Sequence, residues 1–121
     1  MKIKIIDGDF TVCKVRDYSE TDLNAEYCFT GKTDNENSLV CKTDDVPLNA
    51  IAGEPGWKAF RIDEILDFSL TGILARISAL LADQKIGIFA VSTYNTDYIF
   101  VKEADFAKAL TTLADAGYEI I

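Results

Sequence analysis

The chain has 121 residues, 49% of them apolar and 26% charged, which is enough apolar side chain for one compact core or two very small ones fused around it. A net charge of −8 repels phosphate backbones and anionic headgroups, so nucleic acid and membrane surface are poor partners for it. With no histidine, His-based acid–base catalysis, Ser-His and Cys-His nucleophile pairs and the usual zinc sites are excluded.

Residues 1–7 form a short alternating pattern with acids close behind, which is not the apolar core of a signal peptide. No apolar run approaches the ~20 residues of a membrane helix. Residues 2–6 and 10–15 alternate as two strands, and "DYSETDLN" within 16–25 is too polar and short for a strong helix. Residues 26–33 and 38–42 form a hairpin around Asp34, Asn35, Glu36 and Asn37. "GKTD" at 31–34 lacks the upstream glycine of a phosphate loop, so no nucleotide site is expected there. Cys13, Cys28 and Cys41 lie outside any C-x-x-C pair. They read as small buried hydrophobes on strands, and free thiols suit a reducing, cytoplasmic setting. The most linker-like stretch is "DDVPLNAIAGEPG", 44–56, which carries both prolines and two glycines. It divides the chain into residues 1–56, net −5, and 57–121, net −3, so neither part is a charged tail.

The second part reads more clearly. Residues 57–62 alternate as a strand, and 71–85 are helical, with Ile73, Leu74, Ile77, Leu80 and Leu81 on one stripe and Gly87 as the stop. Residues 87–91 and 97–101 are strands. Residues 103–117 form a second helix with Glu103 and Asp105 in its first turn, Phe106, Leu110, Leu113 and Ala114 as its stripe, and Gly117 as a left-handed cap. Residues 118–121 make a last short strand. Strand, helix, strand, strand, helix, strand is the ferredoxin-like split βαβ order: an α+β unit with four antiparallel strands and two helices on one face. Residues 1–56 look like a worn version of it, with strands but only weak helices.

Two loops carry the candidate chemistry. Where the chain enters the first clear helix, Ser69 or Thr71 is placed to cap, and Gly72 leaves the first amides of the turn through Ile73 and Leu74 open to a carboxylate. The second loop, "STYNTD" at 92–97, holds more oxygen atoms than a turn requires. Because the first and third strands of such a unit are neighbours, the two loops are expected to line one cleft. There the Gly72–Leu74 amides would take a carboxylate, and Asp97 with the oxygens of Ser92 and Thr93 would take an ammonium. A plain capped helix start and a solvated turn are the alternatives that pattern alone leaves open. No nucleophile has a base nearby in sequence, so no catalytic residue is expected.

The stretch "GILARISALLADQKIGIFAVSTYNTDYIFVKEADFAKALTTLADAGYEI", 72–120, resembles the ACT domain, a small-molecule-binding regulatory module. More narrowly it is similar to the branch with two tandem ACT-like units in one short chain, to which the cytosolic arginine sensor belongs. "VSTYNTDYIFVKE", "TDNENSLVC" and "GWKAFRIDEILDFSLTGIL" are the segments that carry it. Asn37 departs from the branch's apolar preference. The resemblance implies a pair of βαββαβ units, amino-acid binding at an interface between ACT units, no catalysis, no cofactor and no metal. It implies ligand contacts at Gly72, Ile73, Thr93, Tyr94 and Asp97, with Ser38 and Leu39 at the matching strand of the first unit. The expectation is therefore a degenerate ACT-like unit at 1–56 and an ACT domain at 57–121. The protein is expected to be a homodimer that senses a free amino acid or, alternatively, a structural interaction module without a ligand.

Overall fold

A computed structural model of the chain describes residues 1–67 and 70–121. The strands are β1 (Lys2–Val15), β2 (Phe29–Lys32), β3 (Asn37–Lys42), β4 (Ala50–Ile62), β5 (Ile88–Ser92), β6 (Asp97–Lys102) and β7 (Glu119–Ile120). The helices are α1 (Ile73–Asp83) and α2 (Glu103–Asp115), with a single 3-10 turn at Thr43–Asp45. Two compact units result: Met1–Asp7 with Lys58–Ile121, and Gly8–Trp57. β1 and β4 each contribute a half to both.

In the larger unit the neighbours run β7, β1, β4, β6, β5. β4 and β6 are adjacent, as the split βαβ order requires. β5 and β6 pair antiparallel from Ile88↔Val101 to Ser92↔Asp97. The last strand departs from expectation. β7 does not flank β4; it pairs parallel to the start of β1 through Lys2↔Glu119 and Ile3↔Ile120. The start of β1 occupies the place beside β4, where Asp63 N–H donates to Lys2 O at 2.9 Å. Short alternating residues next to Met1 reveal that a strand exists, but not which edge it fills.

The stripes on α1 and α2 do what their spacing demands. Ile77, Leu81, Ala109 and Leu113 are buried against Phe60, Ile62, Ile99 and Val101 of the sheet. Glu103 and Asp105 sit in the first turn of α2, and Gly117 takes the left-handed conformation at φ 102° that ends it. α1 stops differently from expectation. Lys85, at φ 60°, turns the chain, and Gly87 has no positive φ. The amides of Gln84, Lys85 and Ile86 return to Leu81 and Ala82 carbonyls.

In the smaller unit the neighbours run β2, β3, β1, β4. β1 and β3 pair antiparallel from Phe10↔Lys42 to Val15↔Asn37, and β2 pairs β3 from Phe29↔Val40 to Lys32↔Asn37. Two sequence expectations change. Residues 2–15 form one strand, not two, and the supposed linker yields a strand from Ala50 onward. The reason is the same in both places. Arg16 N–H donates to Asn49 O at 3.2 Å, so β1 and β4 run side by side, and backbone pairing overrides the breaking tendency of Gly8, Gly53 and Pro55. Residues 16–28 fold as turns closed by the Asp17 carboxylate on Ser19 and the Asp22 carboxylate on the Asn24 amide.

Candidate functional site

The start of α1 lines a cleft of about 310 Å³ with Thr71, Gly72, Ile73, Arg76, Ala116, Gly117 and Tyr118. Gly72 is the N-cap and sits at φ 79°, a conformation that side chains with a Cβ resist. Among the described residues no side chain caps the helix at Gly72. Thr71 does not supply the expected cap, and Ser69 lies outside the described residues. Sequence reasoning missed Arg76. Its guanidinium lies 5.5 Å from the centre of the Tyr118 ring and donates to Ala116 O at 3.3 Å. A cation in the first turn opposes the helix dipole. That mismatch was legible, because Arg76 stands four residues after Gly72.

The polar loop lines a different cleft, of about 210 Å³, with Leu66, Asp67 and Leu70. Thr93 closes the loop by itself. Its amide and its Oγ1 both donate to Thr96 O, at 2.8 and 2.9 Å. Thr96 is buried, and its Oγ1 donates to Ile62 O at 2.8 Å, tying the loop to the end of β4. Ser92 Oγ donates to Asp97 Oδ1, and Leu66 N–H donates to Asn95 O at 2.8 Å. Much of the oxygen content of this loop is therefore spent on shaping it. Tyr94, 81% exposed, projects from its tip.

Among the described residues, Gly72 and Ile73 line one cleft, while Thr93, Tyr94 and Asp97 line another. Among the described residues, the lining of the first contains Arg76 and no carboxylate, and the lining of the second contains Asp67 and Asp97 and no cation. Ser38 and Leu39 lie on β3 of the smaller unit. Ser38 O accepts the Tyr18 hydroxyl at 2.8 Å, and the Leu39 side chain is wholly buried, which leaves only its backbone for any ligand. A further cleft beside Tyr98 and Asn95 holds Arg61 and Asp63, paired at 3.4 Å. Both are partly exposed, so the pair contributes little.

Two helices on a mixed sheet, with a helix start at Gly72 after the first strand and a polar hairpin loop after the second, define a ferredoxin-like α+β module. Residues 52–115 match the model of the ACT domain. A crystal structure from Agobacterium tumefaciens is 31% identical, covering 99% of this chain and 91% of that one, with a TM-score of 0.84. The chain belongs to the ACT domain family. A Vibrio cholerae protein described as a possible transport protein is 20% identical over 94% of this chain and 88% of its own, TM-score 0.71. The ligand-free regulatory subunit of aspartate kinase from Thermus thermophilus is 10% identical over 97% of both chains, TM-score 0.68, a likeness of fold alone. ACT domains are regulatory rather than catalytic modules, and among the described residues no helix is long and apolar enough to cross a membrane.

Proposed function

We propose that this chain is a non-catalytic, cytoplasmic regulatory protein that senses a free amino acid. In this reading it is built from two tandem ACT-like units of the arginine-sensor branch, with 57–121 as the ACT domain and 1–56 as a degenerate unit. The observation that supports it is the helix start at Gly72, which has no side-chain cap among the described residues and opens into a cleft lined by Arg76 and Met1. Amides at Gly72 and Ile73 would hold the ligand carboxylate. Asp97, flanked by Thr93 and Tyr94, would hold its cationic group. Because these lips line different clefts of one chain, a pocket with both is completed in a homodimer, where the Gly72 lip of one copy meets the Asp97 lip of the other. Ser38 and Leu39 are the corresponding positions of the degenerate unit.

Isothermal titration against the twenty amino acids tests this directly. Binding no tighter than ~1 mM, about −4 kcal/mol, by any of them rejects sensing. An Asp97→Ala variant that binds like the parent removes Asp97 from the site. The second reading, an interaction module without ligand, is favoured by Leu48 and Ile51, which are 96% and 57% exposed close together in sequence. A melt with and without amino acids separates the two, since a ligand at 100 times its Kd adds about 2.7 kcal/mol.

A further inference from the structure

The three cysteines belong to the smaller unit, and they come together there. Cys13 and Cys41 are buried in one apolar cluster with Val15 and Leu39, and the half-buried Cys28 packs against it. The strand registers say which thiols face each other. Cys13 pairs across β1–β3 with Leu39, so Cys13, Leu39 and Cys41 share a face of the sheet. Phe29 pairs with Val40 at the end of the β2–β3 ladder, and Cys28, the residue just before β2, packs against the cluster that holds Cys41, where one more step of that register would oppose the two.

We propose that Cys28 and Cys41 form an oxidisable dithiol, a modification site at which a peroxide closes an intramolecular disulfide across the open end of the β2–β3 hairpin. The strand registers point to this pair. Directly opposed residues of antiparallel strands have Cα atoms about 4.5–5.5 Å apart, inside the roughly 4.4–6.8 Å that a disulfide spans. Cys13 is only a diagonal neighbour of Cys41, at about 7–8 Å. Cys13 and Cys41 share one apolar cluster, but the diagonal spacing exceeds the Cα separation that a disulfide ordinarily spans. The trio is not a metal site either: no group of three or more potential ligands among the described residues is arranged to hold an ion.

Cys28 is the least buried of the three, so oxidation begins there. Its thiolate attacks one peroxide oxygen; the S–O bond forms and the O–O bond breaks. The departing oxygen takes a proton and leaves as water, and Cys28 becomes a sulfenic acid. The Cys41 sulfur then attacks the Cys28 sulfur. The S–S bond forms, the S–O bond breaks, and hydroxide leaves with the Cys41 proton as water. Two thiols have lost two electrons, and one peroxide has become two waters. Burial, with Asp22 and Asp45 nearby, pushes the Cys28 thiol up. Few thiolates are therefore present at neutral pH, and the reaction answers to a sustained peroxide load rather than to basal levels.

The test is to treat the purified full chain with hydrogen peroxide and analyse non-reduced peptides by mass spectrometry. The expected product joins Cys28 to Cys41. The intact mass falls by two hydrogens, and the count of free thiols falls from three to one. Dithiothreitol reverses both changes. A Cys13→Ser variant gives the same crosslink, and Cys28→Ser gives none. A Cys13–Cys41 link, a crosslink between copies, or sulfinic and sulfonic products with no link would each overturn the proposal.

Discussion

The two hairpins of the molecule are built alike, and the chain does something different after each. Thr33 to Lys42 and Thr93 to Lys102 match position for position. In both, a threonine opens a four-residue loop and its amide donates to the carbonyl at the loop's end, Thr33 to Glu36 at 2.9 Å and Thr93 to Thr96 at 2.8 Å. In both, the threonine Oγ1 doubles that bond, at 3.4 and 2.9 Å. Lys42 and Lys102 then leave their strands with nearly the same backbone angles, φ −60°, ψ 144° and φ −61°, ψ 145°, poised to begin a helix. Lys102 leads into the thirteen residues of α2, Lys42 into a single 3-10 turn. The difference lies in "TDDVPL" against "EADFAKAL". Pro47 disfavours helical angles at Val46 and has no amide to donate, so the turn cannot propagate. The entry geometry is thus a property of the hairpin, and the helix a property of the residues downstream of it.

That contrast predicts unequal stability. The larger unit buries Phe60 in a core to which both helices contribute, whereas the cluster around Leu39 is rimmed by partly buried Tyr18, Cys28, Val46 and Ala50. Phe60→Ala is expected to cost about 3–5 kcal/mol and Leu39→Ala less, toward the lower end of the ~2–5 kcal/mol range for aliphatic truncations. Urea denaturation of both variants checks the order, and a larger loss at Leu39 would break the comparison. The loops come next. Thr96→Val leaves Ile62 O without its buried donor and should cost about 1–3 kcal/mol. Glu36, its exposed counterpart, should tolerate alanine within about 0.5 kcal/mol. Gly72→Ala adds a Cβ that meets no atom of the described residues within 4 Å, and the positive φ makes the substitution cost about 1–2 kcal/mol.

The smallest effect at neutral pH belongs to Cys41. Burial, then the neighbouring Cys13, pushes its thiol from the ordinary 9.0 up to about 12. Below pH 9 folded and unfolded chains both keep this proton, and the group contributes no pH dependence. Between pH 9 and about 12 the unfolded chain releases it while the folded chain holds it. Fewer protons are then bound in the unfolded state, so stability falls as pH rises. Alkaline melting curves should show this fall, and Cys41→Ala should flatten it.

Much of the larger unit was legible because its signals are local. The stripes of α1 and α2, the acids at Glu103 and Asp105, the cap at Gly117 and the β5–β6 hairpin follow from side-chain spacing within a dozen residues. The candidate site was only partly legible. The turn into α1 at Gly72 was visible in the sequence, but Arg76 beside Tyr118 was not, since the ring comes from the far end of the chain. The hydroxyls of "STYNTD" suggested a binding loop, yet Thr93 and Thr96 are largely occupied in holding it shut.

What the amino-acid order settled by itself is the alternation of strands and helices in residues 57–121, the absence of histidine chemistry, and two hairpins with a threonine at each turn. Tertiary structure decided the rest: that β1 and β4 run as long paired strands through segments rich in glycine and proline, that β7 docks on β1, and that the helix start and the polar loop open into different clefts. Spacing along a chain reports which face of an element is apolar. Which edge a strand fills depends on backbone groups, and those are the same in every residue but proline.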